Sequence, residues 1–274
     1  MNMKESLKRL LDYRELLFNL TRKEVKVKYK NSFLGFLWSL VTPLMMLVVF
    51  YVAFGIIFKL RAMGMQYYAF YLMSGILPWN YMSVTLGVSV GAVVTSGDLV
   101  KKVYFPREVL PLSHLGSASF HFLLQELVLV VFLLVFRVPL TPWIFIFPAI
   151  MALEATFIAG FSLLLSAFNV FYRDVQHFTE ILLMAWFWMT PVIYPISLIR
   201  DNFPAWAGRL YMLNPMTHII LLWQRITYNS PLNGPSAASM SLEGVLGAVI
   251  FSLFLLFIGY YVFCRLEGRF AEFI

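Results

Sequence analysis

Two glutamates stand where carboxylates are rarely found. Glu126 lies inside an apolar run at 109–136, and Glu154 inside another at 143–168. An ionisable side chain in such surroundings is costly and points to function by default. At 1.5 Å per residue, Glu126 is about 15 Å and Glu154 about 16 Å from the same end of their helices, so the two share a depth. His121 falls on roughly one face of its helix with His114 and Gln125. Two chemistries are open. One is a proton relay through Glu126, Glu154 and His121; the other, which we prefer, is neutral or hydrogen-bonded carboxyls pinning two helices together.

A second charged step is "NVFYRDVQHF" at 169–178, where Arg173 and Asp174 separate two long apolar runs. Asp174 suits the start of a helix and Arg173 suits a lipid phosphate. The same pair suits an exposed contact with a soluble partner. Other chemistry is missing. There is no G-x-x-x-x-G-K-[ST] loop, no G-x-S-x-G, no H-E-x-x-H and no Cys/His ligand cluster. Cys264 is the only cysteine, which excludes a disulfide framework. No catalytic, cofactor or metal residue is therefore expected in this chain.

The elements that hold these residues follow from composition. Of 274 residues, 61% are hydrophobic and 13% charged, with a mean hydropathy of +0.78. So few charges cannot cover a water-facing surface. A bilayer core about 30 Å thick takes roughly 20 apolar residues of helix. Six runs satisfy that: 33–58, 67–94, 109–136, 143–168, 176–195 and 242–263. Pro43 and Pro78 are expected to kink the first two. The reading is an all-α polytopic membrane protein with six transmembrane helices in one domain, and with no signal peptide.

Lys and Arg set the orientation. Lys4, Lys8, Arg9, Arg14, Arg22, Lys23, Lys26, Lys28 and Lys30 precede the first run. Lys101, Lys102, Arg107, Arg173, Arg265 and Arg269 fall on the same side, giving fifteen of the 21 basic residues. Both termini are expected in the cytoplasm, and the net charge of +7 then calls for lipid headgroups rather than nucleic acid. Within 4–30, Leu16, Leu17, Leu20 and Val27 recur at helical spacing, as in a helix lying in the membrane interface. The stretch 95–111, with a possible Asp98 cap, Lys101, Lys102 and Pro106, reads as a short helix in a turn. Together with Arg173 and Asp174, these segments form one docking platform.

Several segments resemble the type 2 permease subunits of ABC exporters. They are "YRELLFNLTRKEVKVKYKNSFLGFLWSLVTPLMML" (13–47), "SGILPW" (74–79), "KKVYFPREVLPL" (101–112), "NVFYRDVQHF" (169–178), "TPVIYP" (190–195) and "LNPMTHII" (213–220). The likeness is nearest to permeases for O-antigen, capsule and wall teichoic acid, and it runs collinearly over nearly the whole chain. It implies a homodimer in the bacterial cytoplasmic membrane, paired with two ATP-binding cassette ATPase subunits that carry ATP and Mg. It implies a cytoplasmic interface helix at 4–30, a coupling helix at 97–105 and a re-entrant outer gate hairpin at 196–230. The implied cargo is a polymer on a polyprenyl diphosphate.

In that family the first and fifth spans line the channel. Here they offer Phe33, Phe36, Trp38 and Tyr51, and Trp186 and Trp188. An aromatic face lets a sugar slide without trapping it in hydrogen bonds. Neighbours on a helix point about 100° apart, so these rings cannot all face one lumen. In the outer hairpin Trp206 sits at the interface, and Asn214–Pro215 breaks the helix. A drug or lipid exporter is the alternative within the same superfamily. A membrane-embedded glycosyl- or acyl-transferase is the alternative outside it.

Overall fold

The computed structural model describes residues 9, 12–30, 32–33, 35–57, 68–138, 140, 142–228 and 241–274, less the side chains of Phe36, Phe54, Ile57, Arg200 and Asp201. The expected basic residues Lys4 and Lys8, the junction between the first two apolar runs, and the hairpin's end at 229–230 lie outside the described residues.

Every regular element among the described residues is helical. α1 is Arg14–Lys28, and a 3-10 turn at Gly35–Leu37 leads into α2, Trp38–Phe50. α2 gives way to a π-helical stretch, Tyr51–Ile57. α3 is Tyr68–Ser89, followed by short α4 (Ala92–Thr95) and α5 (Gly97–Lys102). α6 is Val109–Val135, α7 is Phe147–Phe171 and α8 is Asp174–Trp188. Three shorter helices follow: α9 (Ile196–Asn202), α10 (Ala205–Leu213) and α11 (Pro215–Tyr228). α12, Leu242–Leu266, runs through a 3-10 turn at Glu267–Arg269 into α13, Phe270–Phe273.

Three stretches are long and apolar enough to cross a membrane: Val109–Val135, Pro142–Phe171 and Leu242–Phe273. Their lipid-facing sides stay greasy while little of each is buried, which is the pattern of helices solvated by hydrocarbon. α3 differs, because sixteen of its 22 residues are buried. Its Tyr71, Leu72, Met82 and Leu86 sit at the centre of the main core, against α6, α7 and α11. Pro43 and Pro78 lie inside α2 and α3, and both helices continue through them. α8 stops at Trp188, where Pro191 and Pro195 would break a longer helix.

α7 and α12 make the most extensive helix pair. Glycine explains how they approach so closely. A Cβ on Gly160 would fall 2.7 Å from the main chain of Leu255, and one on Gly259 would strike the Gly160 carbonyl. In lipid, close backbone approach supplies packing that apolar burial cannot. Replacing Gly259 with Leu should therefore force the pair apart. We expect a loss of about 1–3 kcal/mol or more, read as a lower unfolding temperature of the purified protein.

Candidate functional sites at the two ends of the bundle

At the end that holds Arg9 and Ile274, here the termini end, charge gathers around one carboxylate. Arg9 Nη2 donates to Glu267 Oε1 at 2.6 Å. The Arg107 guanidinium donates to the Glu267 main-chain carbonyl and lies 5.9 Å over the Phe270 ring. Beside it, Glu108 is fully buried at the start of α6, and its Oε1 accepts from the Tyr260 hydroxyl at 3.3 Å. Burial pushes the Glu108 carboxyl up to about 7, and Glu267 adds to that push while Arg9 and Tyr260 oppose it.

Below this knot, Phe270 is fully buried, edge-on to Phe263 at 5.2 Å and to Phe171 at 6.0 Å. Phe273 reaches Phe171 at 4.9 Å. The Arg173 guanidinium donates to the Phe273 carbonyl at 3.3 Å. Arg173 is itself the residue preceding α8, and Asp174 makes no capping bond there, contrary to the expected cap. Asp98, Lys101 and Lys102 are exposed on α5, as is Asp174 at the head of α8. These residues thus line one end, with Asp98, Lys101 and Lys102 free to meet a partner and Arg173 already engaged within the chain.

α1 lies against the first half of α6. Thr21 meets Gly116, Glu24 comes within 3.7 Å of His114, and the Tyr29 hydroxyl shares a 3.0 Å hydrogen bond with His121 Nδ1. Tyr29 also bonds Ser39 of α2. The Tyr29 hydroxyl at the end of α1 thus bridges α2 and His121 of α6, and no hydrogen bond links His121 to Glu126.

At the opposite end, Asn214 is the hub. Its Oδ1 accepts from Trp186 Nε1 and from the Met216 backbone N–H, both at 3.0 Å. Its Nδ2 donates to Thr190 Oγ1 at 2.9 Å and to the Met189 carbonyl at 3.3 Å. That uses the full bonding capacity of one amide. It caps α11, where Pro215 occupies the first helical position, and ties it to the end of α8. The Tyr194 and Tyr211 hydroxyls point at the Trp188 carbonyl, at 2.5 and 3.2 Å, and Gln224 Nε2 donates to the Pro191 carbonyl at 3.0 Å. A cavity of about 250 Å³ lies beside Trp186, Met189, Leu210, Tyr211 and Asn214. Trp206 is exposed nearby on α10.

Glu126 and Glu154 are both fully enclosed, but they do not hydrogen-bond each other. Glu154 Oε2 instead accepts from Trp223 Nε1 at 2.7 Å, and the indole is held edge-on by Phe122 and Phe147, each at 5.0 Å. The carboxyl of α7 thus anchors α11. Of the aromatic residues expected in a lumen, Phe33, Trp38, Tyr51 and Trp188 are exposed. Trp186 is half-buried against Trp79, Phe157 and Phe161, with its N–H spent on Asn214. The side chain of Phe36 lies outside the described residues.

Glu108 and Glu267 were not singled out in the sequence, and Arg107 counted there only as one of the basic residues that set orientation. Glu108 had a signal, a carboxylate between Pro106 and Pro111 at the very start of an apolar run. Glu267 had none, since its partner Arg9 is distant in the chain.

This is a multi-pass helical membrane protein in which several described polar side chains fasten one helix to another. The ABC-2 type transporter family matches residues 15–228, and the chain belongs to that family as a transport permease. It is 31% identical over 259 residues to an O-antigen export system permease protein RfbA of Klebsiella pneumoniae, covering 94% of each chain. A second Klebsiella pneumoniae protein of that name is 30% identical over 273 residues, covering 99% of this chain and 98% of the other. The RfbA of Myxococcus xanthus is 32% identical over 263 residues, covering 96% of each.

Two outcomes follow from these knots. The folded chain holds a proton on Glu108 that the unfolded chain has already released, in the window from the ordinary glutamate range up to about 7. Stability should therefore fall as pH rises through that window, and Glu108→Gln should flatten the dependence in unfolding scans across it. Asn214→Ala leaves the Trp186 and Thr190 groups unmatched at the opposite end, and should cost about 1–3 kcal/mol in the same measurement.

Proposed function

We propose that this chain is the membrane permease of an ATP-driven exporter of lipid-linked polysaccharide or teichoic-acid-type polymer, carried on a polyprenyl diphosphate. The observation that carries the reading is its likeness, over 94–99% of its length, to permeases named for O-antigen export. The bacterial cytoplasmic membrane is the site of action, with both termini in the cytoplasm. The six expected runs cross it, and 196–230 forms an outer gate hairpin held by Asn214 and Pro215, with Trp206 at the interface.

Two copies form the working permease. α2 and α8 offer apolar faces to a second copy. Trp38, Met45, Val48, Val49 and Tyr51 are exposed on the first helix and its π-helical extension, and Phe178, Ile181, Met184 and Trp188 on the second. Facing α2 and α8 across a dimer, such rings make a wall of apolar faces for sugar C–H groups. ATP and Mg belong to two separate cytoplasmic ATPase subunits. Those subunits meet the permease at the termini end, through Asp98, Lys101 and Lys102 of the coupling helix and the turn at Arg173 and Asp174. Exposed charges at such an edge guide docking more than they strengthen it. Membrane lipids solvate the remaining faces, and no nucleic acid is involved.

The test reconstitutes the permease with its ATPase subunit and follows ATP-dependent movement of lipid-linked polymer. Trp188→Phe should export at a rate near wild type, because an apolar ring remains on the path. Trp188→Asp should export far more slowly while ATP turnover persists. Equal rates for both variants would remove α8 from the channel wall, and a wild-type complex that moves no polymer would overturn the cargo assignment.

A further inference from the structure

The segment Glu267–Ile274 touches several separate elements at the termini end. Glu267 takes Arg9 on its carboxylate and Arg107 on its carbonyl. Phe270 fills the apolar cluster that includes Val93 of α4, Val100 of α5, Leu110 of α6 and Val170 of α7. Phe273 stacks edge-on to Phe171 and offers its carbonyl to Arg173. Ile274 lies against α5 so closely that a Cβ on Gly97 would fall 2.5 Å from Ile274 Cγ2.

These contacts differ in kind and come from separate elements. The same segment grips α5, through Gly97, and the turn between α7 and α8, through Phe171 and Arg173. α5 packs chiefly on α4 and this segment, and its Val100 shares the apolar cluster with Val170 near that turn. The segment also continues α12, which is locked along α7 by the Gly160–Gly259 crossing.

We propose that Glu267–Ile274 is a strap that holds α5 and the α7–α8 turn as one moving body. A displacement delivered to α5 then reaches Arg173 and the head of α8 without either element having to touch the other. The proposal rests on the reading that α5 and this turn meet the ATPase subunits, and it adds that they respond together. Arg173 and Gly97 are positioning residues here: one fixes the strap by a donor fork, and the other by having no side chain.

The strap can be fastened or displaced chemically. A Cβ at Gly97 would lie 4.0 Å from Ile274 Cβ, inside the range a disulfide spans. In full-length permease with Cys264→Ser, the pair Gly97→Cys and Ile274→Cys should cross-link in membranes. The oxidised complex should keep its transport per ATP hydrolysed, because the strap stays seated through the cycle. Gly97→Val should push the strap off. ATPase subunit binding and ATP turnover should then persist while transport per ATP falls on the order of tenfold, and adding Ile274→Ala should restore it by making room for the valine.

Three results overturn the proposal. They are no cross-link on oxidation, a cross-link that stops transport until it is reduced, and a Gly97→Val complex that transports as well per ATP as wild type. Failure of the functional reading looks different, because the wild-type complex itself then shows no ATP-dependent transport.

Discussion

A hydrogen-bonding group inside hydrocarbon has no water to fall back on, so it must find its partner within the protein. That constraint organises this structure. Apolar burial cannot decide which greasy helix sits beside which, because lipid serves as well as a neighbour. The decisions are made by a few polar side chains and by bare backbone. Trp223 finds Glu154, and α11 is drawn onto α7. Asn214 uses its whole amide between α8 and α11. Where α7 and α12 meet, glycine opens the space and the two main chains approach closely.

The two ends of the bundle are built on different chemistry. Around Asn214 the bonds are neutral and lie beside aromatic rings. Around Glu267 they are ionic and lie at the edge, where Arg9 and Arg107 keep partial access to solvent. Neutral bonds are insensitive to salt, whereas edge ion pairs weaken as salt rises. The end proposed to meet soluble partners is thus the one whose fastening responds to the solution around it.

Much of the fold was legible in the sequence. Apolar run length located α6, α7 and α12, because a bilayer demands a minimum of about 20 residues, although the same criterion also picked out the largely buried α3. Periodicity also marked α1, whose Leu16 and Leu20 turn inward. The candidate sites were legible in part. Asn214, Trp186, Arg173 and Glu154 stood out by type, but their partners did not. Trp186 was read as a ring for a lumen because an indole's apolar face is visible in sequence and its N–H partner, 28 residues away, is not. Glu267 looked like one more charge after the last span. Its role comes from folding back onto Arg9, 258 residues upstream, and no local pattern encodes that.

The bond between Glu154 and Trp223 also has a history in time. The two residues are separated by 69 positions. A ribosome adding about 5–20 residues per second makes Trp223 roughly 3–14 s after Glu154. During that interval α7 is complete, its carboxyl is inside an apolar helix, and the indole that will receive it does not yet exist. The chain therefore passes through an immature stage whose least comfortable group sits at mid-helix. Synthesis of α11, rather than insertion of α7 itself, is the event that ends it.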